Sequence, residues 1–318
     1  MKTRCLPRIL TGAGVLIAVT ACSVLRHAAA PLPRPSQGPP GIAHAVLPAK
    51  AASYLGDFEP TSPKSYSEVS QFAKAIGRRP NLVLYFSGWS VPFQSRFADE
   101  AWANGAIPAI QVDPDTISLA DIAAGKYDGY VRSYAAAIRS YGHPVVIGFG
   151  HEMNGWWFSW GHRHTSPTVF VAAWRHIVNV FRQQGADNVT WLWTINIIDP
   201  RGGILAPGPW WPGSSYVTWV GIDGYYRRPS WTFASLFGPT IKAVRKLTLD
   251  PILISETGAA HSAGQPMKIA NLFAGVRAYG LLGFVWFDAK KNWDWRLSTP
   301  AAFAAFRQGA KTFERPPS

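Results

Sequence analysis

Short runs of β-branched and aromatic residues alternate with stretches of helical periodicity from residue 51 onward. An apolar run of about four to eight residues, bounded by glycine or polar residues, is typical of a buried strand in a parallel sheet. Eight runs of this kind predict eight strands, at residues 54–58, 81–86, 107–112, 145–149, 189–195, 218–222, 252–255 and 282–287.

The segments between these runs predict helices at most positions. Apolar residues recur at helical spacing in residues 66–76, 127–140 and 168–184, whereas residues 207–216 are typical of a loop. Alternating strands and helices indicate parallel βαβ units. Eight such units in residues 51–318 predict an α/β fold, a (β/α)8 TIM barrel in a single domain, because about 250 residues is the typical length of that barrel.

The first fifty residues have a different character. Three cations within the first eight residues precede an apolar stretch, and together they predict a secretory signal peptide over residues 1–21. The apolar stretch is too short to span a membrane. Residues 22–50 are rich in proline and alanine and lack periodicity, which predicts a semi-rigid tether.

The cysteine that follows the signal peptide indicates a mode of anchoring. Residues 19–22, Val-Thr-Ala-Cys, are similar to the lipobox of bacterial lipoproteins, which predicts lipid attachment at Cys22. An ordinary signal peptide cut after Ala30 is the alternative. The sequence therefore predicts a secreted protein, anchored by an N-terminal lipid to the outer face of the cell membrane, with that lipid as its only membrane contact.

Composition excludes several classes of function. Charged residues make up 15% of the chain, below the roughly 25% of a typical globular protein, so a solvated disordered chain is excluded. The net charge is +13, but 6 of the 31 basic residues and none of the 18 acidic residues lie in the first fifty. The longest later basic run is two residues, so we expect no nucleic-acid partner. The positive charge favours anionic polymers or lipid headgroups instead.

The chain also lacks the spacing of a metal site. His151-Glu152 begins like a zinc-peptidase motif, but Gly155 stands where the second histidine belongs. We therefore expect no metal and no organic cofactor. The two cysteines, Cys5 and Cys22, both precede the predicted domain, so no disulfide is expected within it.

Polar residues end nearly every predicted strand, which is where a barrel of this kind carries its catalytic groups. In chain order they are Asp57 and Glu59, Ser87 and Trp89, Gln111 and Asp113, His151 and Glu152, Asn196, Asp223 and Tyr225, Glu256, and Trp286 and Asp288. Carboxylates and aromatic rings on one face are typical of a site for a polyhydroxylated ligand.

Two of these carboxylates are suited to acid–base work. Glu152 ends the fourth strand and Glu256 the seventh, so they approach the barrel mouth from opposite sides. Carboxyl groups about 5 Å apart would flank one glycosidic bond and would imply retention of configuration. A salt bridge from Glu256 to an arginine is the structural alternative.

Two motifs carry a resemblance to a known family. Residues 151–155, His-Glu-Met-Asn-Gly, with Trp157 and Trp160, and residues 255–258, Ser-Glu-Thr-Gly, resemble glycoside hydrolase family 26. The resemblance implies a retaining (β/α)8 hydrolase, chiefly an endo-β-1,4-mannanase. A mixed-linkage β-glucanase (lichenase) and a β-1,3-xylanase are alternatives within the family. Gln111 departs from the pattern, because many mannanases of the family have a histidine near that position.

The resemblance also implies roles for individual residues. Glu152 would be the general acid/base and Glu256 the nucleophile, with the phenol of Tyr225 bonded to Glu256. His151 would contact the sugar. The remaining predicted substrate contacts are Asn154, Trp157, Trp160, Trp286 and Trp89, with the core as the alternative place for each tryptophan.

A function of another class remains open. A barrel that binds glycan without cleaving it would be a glycan-binding lipoprotein, although the two carboxylates speak against it. In either case the expected partner is a polysaccharide and the expected state is a monomer.

Overall fold

Eight parallel strands close into a barrel in the computed structural model, which describes residues 47–314. The strands are β1 (Tyr54–Phe58), β2 (Leu82–Gly88), β3 (Ile107–Asp113), β4 (Val145–Phe149), β5 (Val189–Asn196), β6 (Trp219–Asp223), β7 (Ile252–Thr257) and β8 (Gly283–Phe287). Each strand pairs with the next along the chain, and β1 pairs with β8 to close the ring. The predicted (β/α)8 fold is confirmed.

Helices surround the barrel. They are α1 (Ser67–Ile76), α2 (Ser95–Ala103), α3 (Leu119–Ala123), α4 (Asp128–Tyr141), α5 (Pro167–Gln183), α6 (Phe233–Val244), α7 (Gln265–Ala278) and α8 (Pro300–Ala310). The connection from β5 to β6 holds two short 3-10 turns, Pro200–Gly202 and Gly208–Trp210, so the loop predicted there is present. Within residues 47–314, no helix has the length and apolar character needed to cross a membrane.

Helix α5 illustrates how the local sequence sets these elements. The hydroxyl of Ser166 accepts a hydrogen bond from the backbone N–H of Val169, and Pro167 occupies the first turn, where its missing N–H costs nothing. Phe170, Trp174 and Ile177 then recur at helical spacing and are buried against the barrel. Capping and periodicity therefore agree on where the helix begins and which face packs inward.

Alternating side chains divide the core into two layers. Leu84, Val146, Leu192 and Val285 point into the barrel, while their neighbours on each strand pack against the helices. Because side chains alternate along a strand, this parity decides which strand-end residues reach the mouth of the barrel.

The base of the barrel includes residues that the sequence had assigned to the tether. Leu47 is buried with the interior cluster, and the hydroxyl of Tyr54 donates to the carbonyl of Pro48 over 2.8 Å. The hydroxyl of Ser53 donates to the carbonyl of Lys50. The folded domain therefore includes residues 47–50. The predicted signal peptide, Cys22 and the rest of the predicted tether lie outside the described residues.

Candidate active site

Glu152 lies just beyond β4 and has a backbone conformation that is unfavourable for residues other than glycine. Its φ is +55°, in the left-handed region, and Gly150, two residues earlier, has a φ of +54°. The N–H of Glu152 donates to the carbonyl of Thr194 on β5 over 2.9 Å, which holds this turn against the barrel. Strain of this kind is characteristic of functional positions, and here it directs Glu152 toward the mouth.

Two neutral donors hold the Glu152 carboxylate. Its Oε2 accepts a 2.9 Å hydrogen bond from the indole N–H of Trp157, and its Oε1 accepts one from the amide of Asn196 at the end of β5. The Trp157 ring is 37% exposed, whereas the Glu152 side chain is buried. Trp157 therefore orients Glu152 while presenting its ring to solvent.

Glu256 lies on β7, opposite Glu152. The pairing register shifts on both sides of this part of β7, against β6 and against β8, which breaks the strand's regular alternation. Its Oε2 accepts a 2.6 Å hydrogen bond from the hydroxyl of Tyr225, while its buried Oε1 has no hydrogen-bond partner among the described residues. One oxygen is therefore fixed and the other is free.

The charge of Glu256 is set by opposing neighbours. Burial, and then the nearby Glu152 carboxylate, raise the pKa of Glu256 to about 7. His151, the Tyr225 hydroxyl and Lys291 act in the opposite direction. The ionised form of Glu256 therefore depends on these three groups.

His151 forms a buried ion pair beside the two glutamates. Its Nδ1 lies 2.9 Å from Oδ1 of Asp113 at the end of β3. Burial alone would lower the pKa of His151, but the charge and hydrogen bond of Asp113, with the charges of Glu152 and Glu256, raise it to about 9. His151 is therefore an imidazolium at neutral pH.

Asp223 lies behind Glu256 on β6. It is fully buried and its Oδ1 accepts a 2.6 Å hydrogen bond from the hydroxyl of Ser255. Burial, followed by the charges of Glu256 and Glu152, raises the pKa of Asp223 well above its usual range. The protonated form of Asp223 is therefore favoured by its surroundings.

Asn154, a predicted substrate contact, bonds backbone groups within the fold, and its contact with substrate stays a prediction. It is fully buried, and its amide nitrogen donates to the carbonyls of Asn196 and Leu205. Its side-chain oxygen accepts from the N–H of Asn196. Asn154 therefore joins the loop after β4 to the end of β5, where Asn196 holds Glu152.

Trp160 supports the turn that carries His151. Its side chain is buried, its indole N–H donates to the carbonyl of His151 over 2.7 Å, and its ring stacks on Phe158 at 4.3 Å. One face of the ring is thus covered by Phe158, and its contact with sugar stays a prediction.

Trp286 and Trp89 lie in the layer between barrel and helices, the core position that was the alternative to a role as sugar platforms. Trp286 is fully buried and packs edge-on against Phe306 of α8. Trp89 packs against Tyr130 and Phe149. Both residues occupy positions whose side chains point away from the barrel interior.

Three aromatic side chains that the sequence analysis did not assign to the site lie near Tyr225. Phe287, one residue after Trp286, points into the mouth and packs 5.8 Å from Tyr225. Trp295, in the loop after β8, lies 4.6 Å from the Tyr225 ring, and the 46% exposed Trp293 lies 6.0 Å from Trp295. Counting alternate positions from Val285 would have selected Phe287.

Gln111 lies beneath the site. It is fully buried, and its amide nitrogen donates to the hydroxyl of Thr194 over 2.8 Å. A Cβ on Gly148 would meet the Gln111 side-chain oxygen at 1.9 Å, so Gln111 fills space that only glycine leaves on β4. The third-strand residue that acts on the site is Asp113, through His151.

The chemistry of the site is that of two carboxylates. Across the described part of the chain, no group of three or more histidine, cysteine or acidic side chains is arranged to hold a metal ion. One carboxyl has a free oxygen and a charged neighbour, and the other is held by neutral donors at the edge of solvent. This arrangement fits a nucleophile facing a general acid/base.

The chain was compared with protein-family models, with known proteins and with solved structures. Residues 127–259 match the model of glycosyl hydrolase family 26. Endoglucanase H of Acetivibrio thermocellus is 32% identical over 271 residues, which cover 80% of this chain and 30% of that protein. Mannan endo-1,4-beta-mannosidase A and B of Caldalkalibacillus mannanilyticus is 27% identical over 135 residues, covering 40% of this chain and 24% of that protein.

The chain thus spans less than a third of the length of both relatives. Among solved structures, a Cellulomonas fimi endo-beta-1,4-mannanase double mutant superposes with a TM-score of 0.65 at 15% identity. The match covers 82% of this chain and 71% of that chain, which supports the same fold.

Proposed function

We propose that the chain is a member of glycosyl hydrolase family 26 and that it cleaves β-linked hexose polysaccharide with retention of configuration. The observation that carries the proposal is the pair of buried glutamates, in which Glu256 keeps one oxygen free while Glu152 is held by neutral donors. Acid–base and nucleophilic roles need this division between two carboxyls.

In the first step, a carboxylate oxygen of Glu256 attacks the anomeric carbon and forms a C–O bond to the sugar. The glycosidic C–O bond breaks, and Glu152 transfers its proton to the leaving oxygen. Tyr225 holds Oε2 of Glu256 and so fixes the orientation of the carboxylate. The His151 imidazolium helps keep Glu256 ionised.

In the second step, Glu152 takes a proton from water, and the resulting hydroxide attacks the same carbon. The bond from the sugar to Glu256 breaks, which returns Glu256 as a carboxylate and Glu152 as an acid. Two inversions at one carbon give net retention. The exposed ring of Trp157 supplies an apolar face for the sugar.

The first polymer we propose is β-1,4-mannan. The support is the likeness to the bacterial mannosidase and the mannanase fold of the Cellulomonas structure. Mixed-linkage β-glucan is the second candidate, because the likeness to endoglucanase H covers more of the chain and Gln111 replaces the histidine common in mannanases. Reducing-end assays on galactomannan, glucomannan, lichenan and β-1,3-xylan choose between them, and glycan binding without cleavage of any would favour the non-catalytic alternative.

Azide rescue tests the assignment of the two glutamates. In Glu152→Ala, an activated aryl β-glycoside still forms the glycosyl-enzyme, and azide should release it as the β-glycosyl azide. In Glu256→Ala no such intermediate forms, so azide gives at most the α-azide. Glu100 is an exposed glutamate on α2, and Glu100→Ala is the matched control. This variant should keep wild-type activity, and azide should not alter its product. A β-azide from the Glu256 variant, or inversion by the wild type, overturns the mechanism.

We also propose that the protein is exported, anchored by a lipid on Cys22, and active as a monomer. The support is the lipobox-like sequence and the proline-rich segment after it. Replacing Cys22→Ala should move the protein from the membrane fraction to the medium in a bacterial host that processes lipoproteins. A wild-type protein that is already soluble and begins at Pro31 contradicts the lipid anchor, and light scattering tests the monomer.

A further inference from the structure

Six basic side chains surround the site without ion-pair partners. They lie on the loops that follow β4, β5, β6 and β8, and are Arg163, Arg201, Arg227, Arg228, Lys290 and Lys291. Among the described residues, none of the six forms a salt bridge, whereas Arg296 on the same face pairs with Asp294 over 2.7 Å. All six are exposed.

The acidic residues on these four loops either belong to the site or have other partners. Glu152 belongs to the site, and Asp199 caps a 3-10 turn by accepting from the N–H of Gly202. Asp288 accepts from the N–H of Leu297, and Asp294 pairs with Arg296. Among the described residues, none of these four acids forms a salt bridge with any of the six cations.

Two of the cations are linked to the site, Lys291 through its charge and Arg163 through ring contacts. The charge of Lys291 lowers the pKa of Glu256. Arg163 lies 5.3 Å over the ring of Trp156, which is 6.1 Å from Trp157, the residue bonded to Glu152. The indole N–H of Trp156 donates to the carbonyl of Gly202, which brings the turn with Arg201 to the same place.

These positions lie on opposite sides of the mouth. The strands follow one another around the closed barrel, so β8 lies across the barrel from β4. A chain bound across the mouth would therefore meet Lys290 and Lys291 on one side and Arg163 and Arg201 on the other. Unpaired cations flanking a cleft attract anionic ligands and raise their local concentration.

We infer that the substrate is an anionic glycan, a β-linked polysaccharide whose units carry carboxylate, phosphate or sulfate groups. This inference rests on the proposed function, and it adds the charge of the substrate to it. The glutamates cleave the backbone, while the cations of the rim bind the anionic groups on either side of the cut. The exposed ring of Trp293, two residues after Lys291, offers an apolar face beside that charge.

The test compares one backbone in four forms. The full-length protein is assayed on the neutral polymer it cleaves best, on its hydroxyethyl ether, and on its carboxymethyl and sulfated derivatives at equal substitution. We expect at least one anionic form to be cleaved with a kcat/KM about fivefold or more above that of the hydroxyethyl form at low salt. The preference should shrink in 0.5 M NaCl, because salt screens exposed charges.

Paired variants locate the effect. Lys290→Gln with Lys291→Gln, and separately Arg163→Gln with Arg201→Gln, should each lower the ratio of anionic to neutral kcat/KM by about two- to fivefold. Lys242→Gln with Lys246→Gln makes the same charge change at the far end of α6, near the base of the barrel, and should leave the ratio unchanged. Equal losses in all three pairs would reduce the effect to net charge and overturn the inference.

Binding separates this inference from the proposed function. Retardation of the Glu256→Gln protein in gels containing each polymer measures affinity without turnover. Salt-sensitive retardation by an anionic polymer supports the inference even if no polymer is cleaved, in which case the proposed hydrolysis fails alone. Cleavage of neutral polymer with no preference for any anionic form overturns the inference and leaves the hydrolysis standing.

Discussion

The hydroxyl of Tyr225 lies 2.6 Å from Oε2 of Glu256 and leaves Oε1 of that carboxyl without a hydrogen-bond partner among the described residues. The bond does two things at once. It fixes the orientation of the carboxylate, and it lowers the pKa of Glu256 against the opposing effect of burial. Tyr225 therefore influences both the orientation of the Glu256 carboxylate and the pH range in which it is ionised.

Removing the Tyr225 hydroxyl should weaken catalysis mainly at acidic pH. In Tyr225→Phe the pKa of Glu256 rises, so the acidic limb of the kcat/KM profile should move to higher pH. We expect kcat to fall about tenfold to a hundredfold at the optimum, because an orienting bond to a charged group is lost. Tyr226→Phe, the buried neighbour whose hydroxyl faces Asn271, is the matched control. An unmoved acidic limb contradicts the role of Tyr225.

The pair of His151 and Asp113 predicts a second dependence on pH. In Asp113→Asn the carboxylate that contributes most to raising the pKa of His151 is gone while burial still favours the neutral ring, so we expect this pKa to fall from about 9. Glu256 loses a cationic neighbour, and kcat at pH 7 should fall about tenfold. Histidine NMR titration measures the change directly.

A second histidine–aspartate pair provides the control for that experiment. His176 lies 2.6 Å from Asp128, between α5 and α4 and away from the mouth. Asp128→Asn should leave kcat and its pH profile as in the wild type. A His151 pKa that stays near 9 in Asp113→Asn would show that Asp113 does not set the charge of the ring.

Two tryptophans should respond in opposite ways to truncation. Trp157→Ala removes an exposed ring and a bond to Glu152, so kcat/KM should fall more than tenfold with little change in Tm. Trp286→Ala leaves a cavity between β8 and α8, so the free energy of unfolding should fall by about 3 to 5 kcal/mol. Activity per folded Trp286→Ala molecule should persist. Equal loss of stability in both variants would contradict these placements.

Three carboxyl groups near the ends of β1 and β8 predict how stability changes with pH. Asp57 is fully buried with no hydrogen-bond partner for its carboxyl oxygens among the described residues. Burial, and then the charges of Asp288 and Glu68, raise the pKa of Glu59 to about 9. Burial, opposed in part by hydrogen bonds, raises the pKa of Asp288 to about 6.

The folded protein therefore retains a proton on Glu59 that the unfolded chain releases above its ordinary pKa of 4.5. Stability should fall as pH rises from that value toward 9. Glu59→Gln removes this penalty, so the variant should exceed the wild type by at least about 1 kcal/mol at pH 8, or about 3 °C in Tm, and match it at pH 4. Glu314→Gln, an exposed position paired with Lys50, is the control. A gain that is the same at both pH values contradicts the protonated state.

Apolar periodicity was enough to predict the barrel, because buried strands and amphipathic helices follow from local sequence. The ends of strands also placed Glu152, Glu256 and Tyr225 at one mouth. Which side chains at those ends point into the barrel was harder to predict. Trp286 and Phe287 are adjacent, and only the register of β8 decides which ring points inward.

Loop contacts were beyond the sequence for a different reason. The amide of Asn154 binds backbone groups of β5 and of the loop after it, and those partners are distant along the chain. The pairing of His151 with Asp113 likewise joins two strands, and no spacing in the sequence indicates it. Side-chain type predicts which chemistry is available, whereas hydrogen-bond partners depend on the folded backbone.

Leu47 closes the base of the barrel, at the pole opposite the two glutamates. The described part of the chain therefore begins at the end of the barrel away from the cleft. A tag or linker joined directly before residue 47 would extend from that end and should leave access to the two glutamates unchanged.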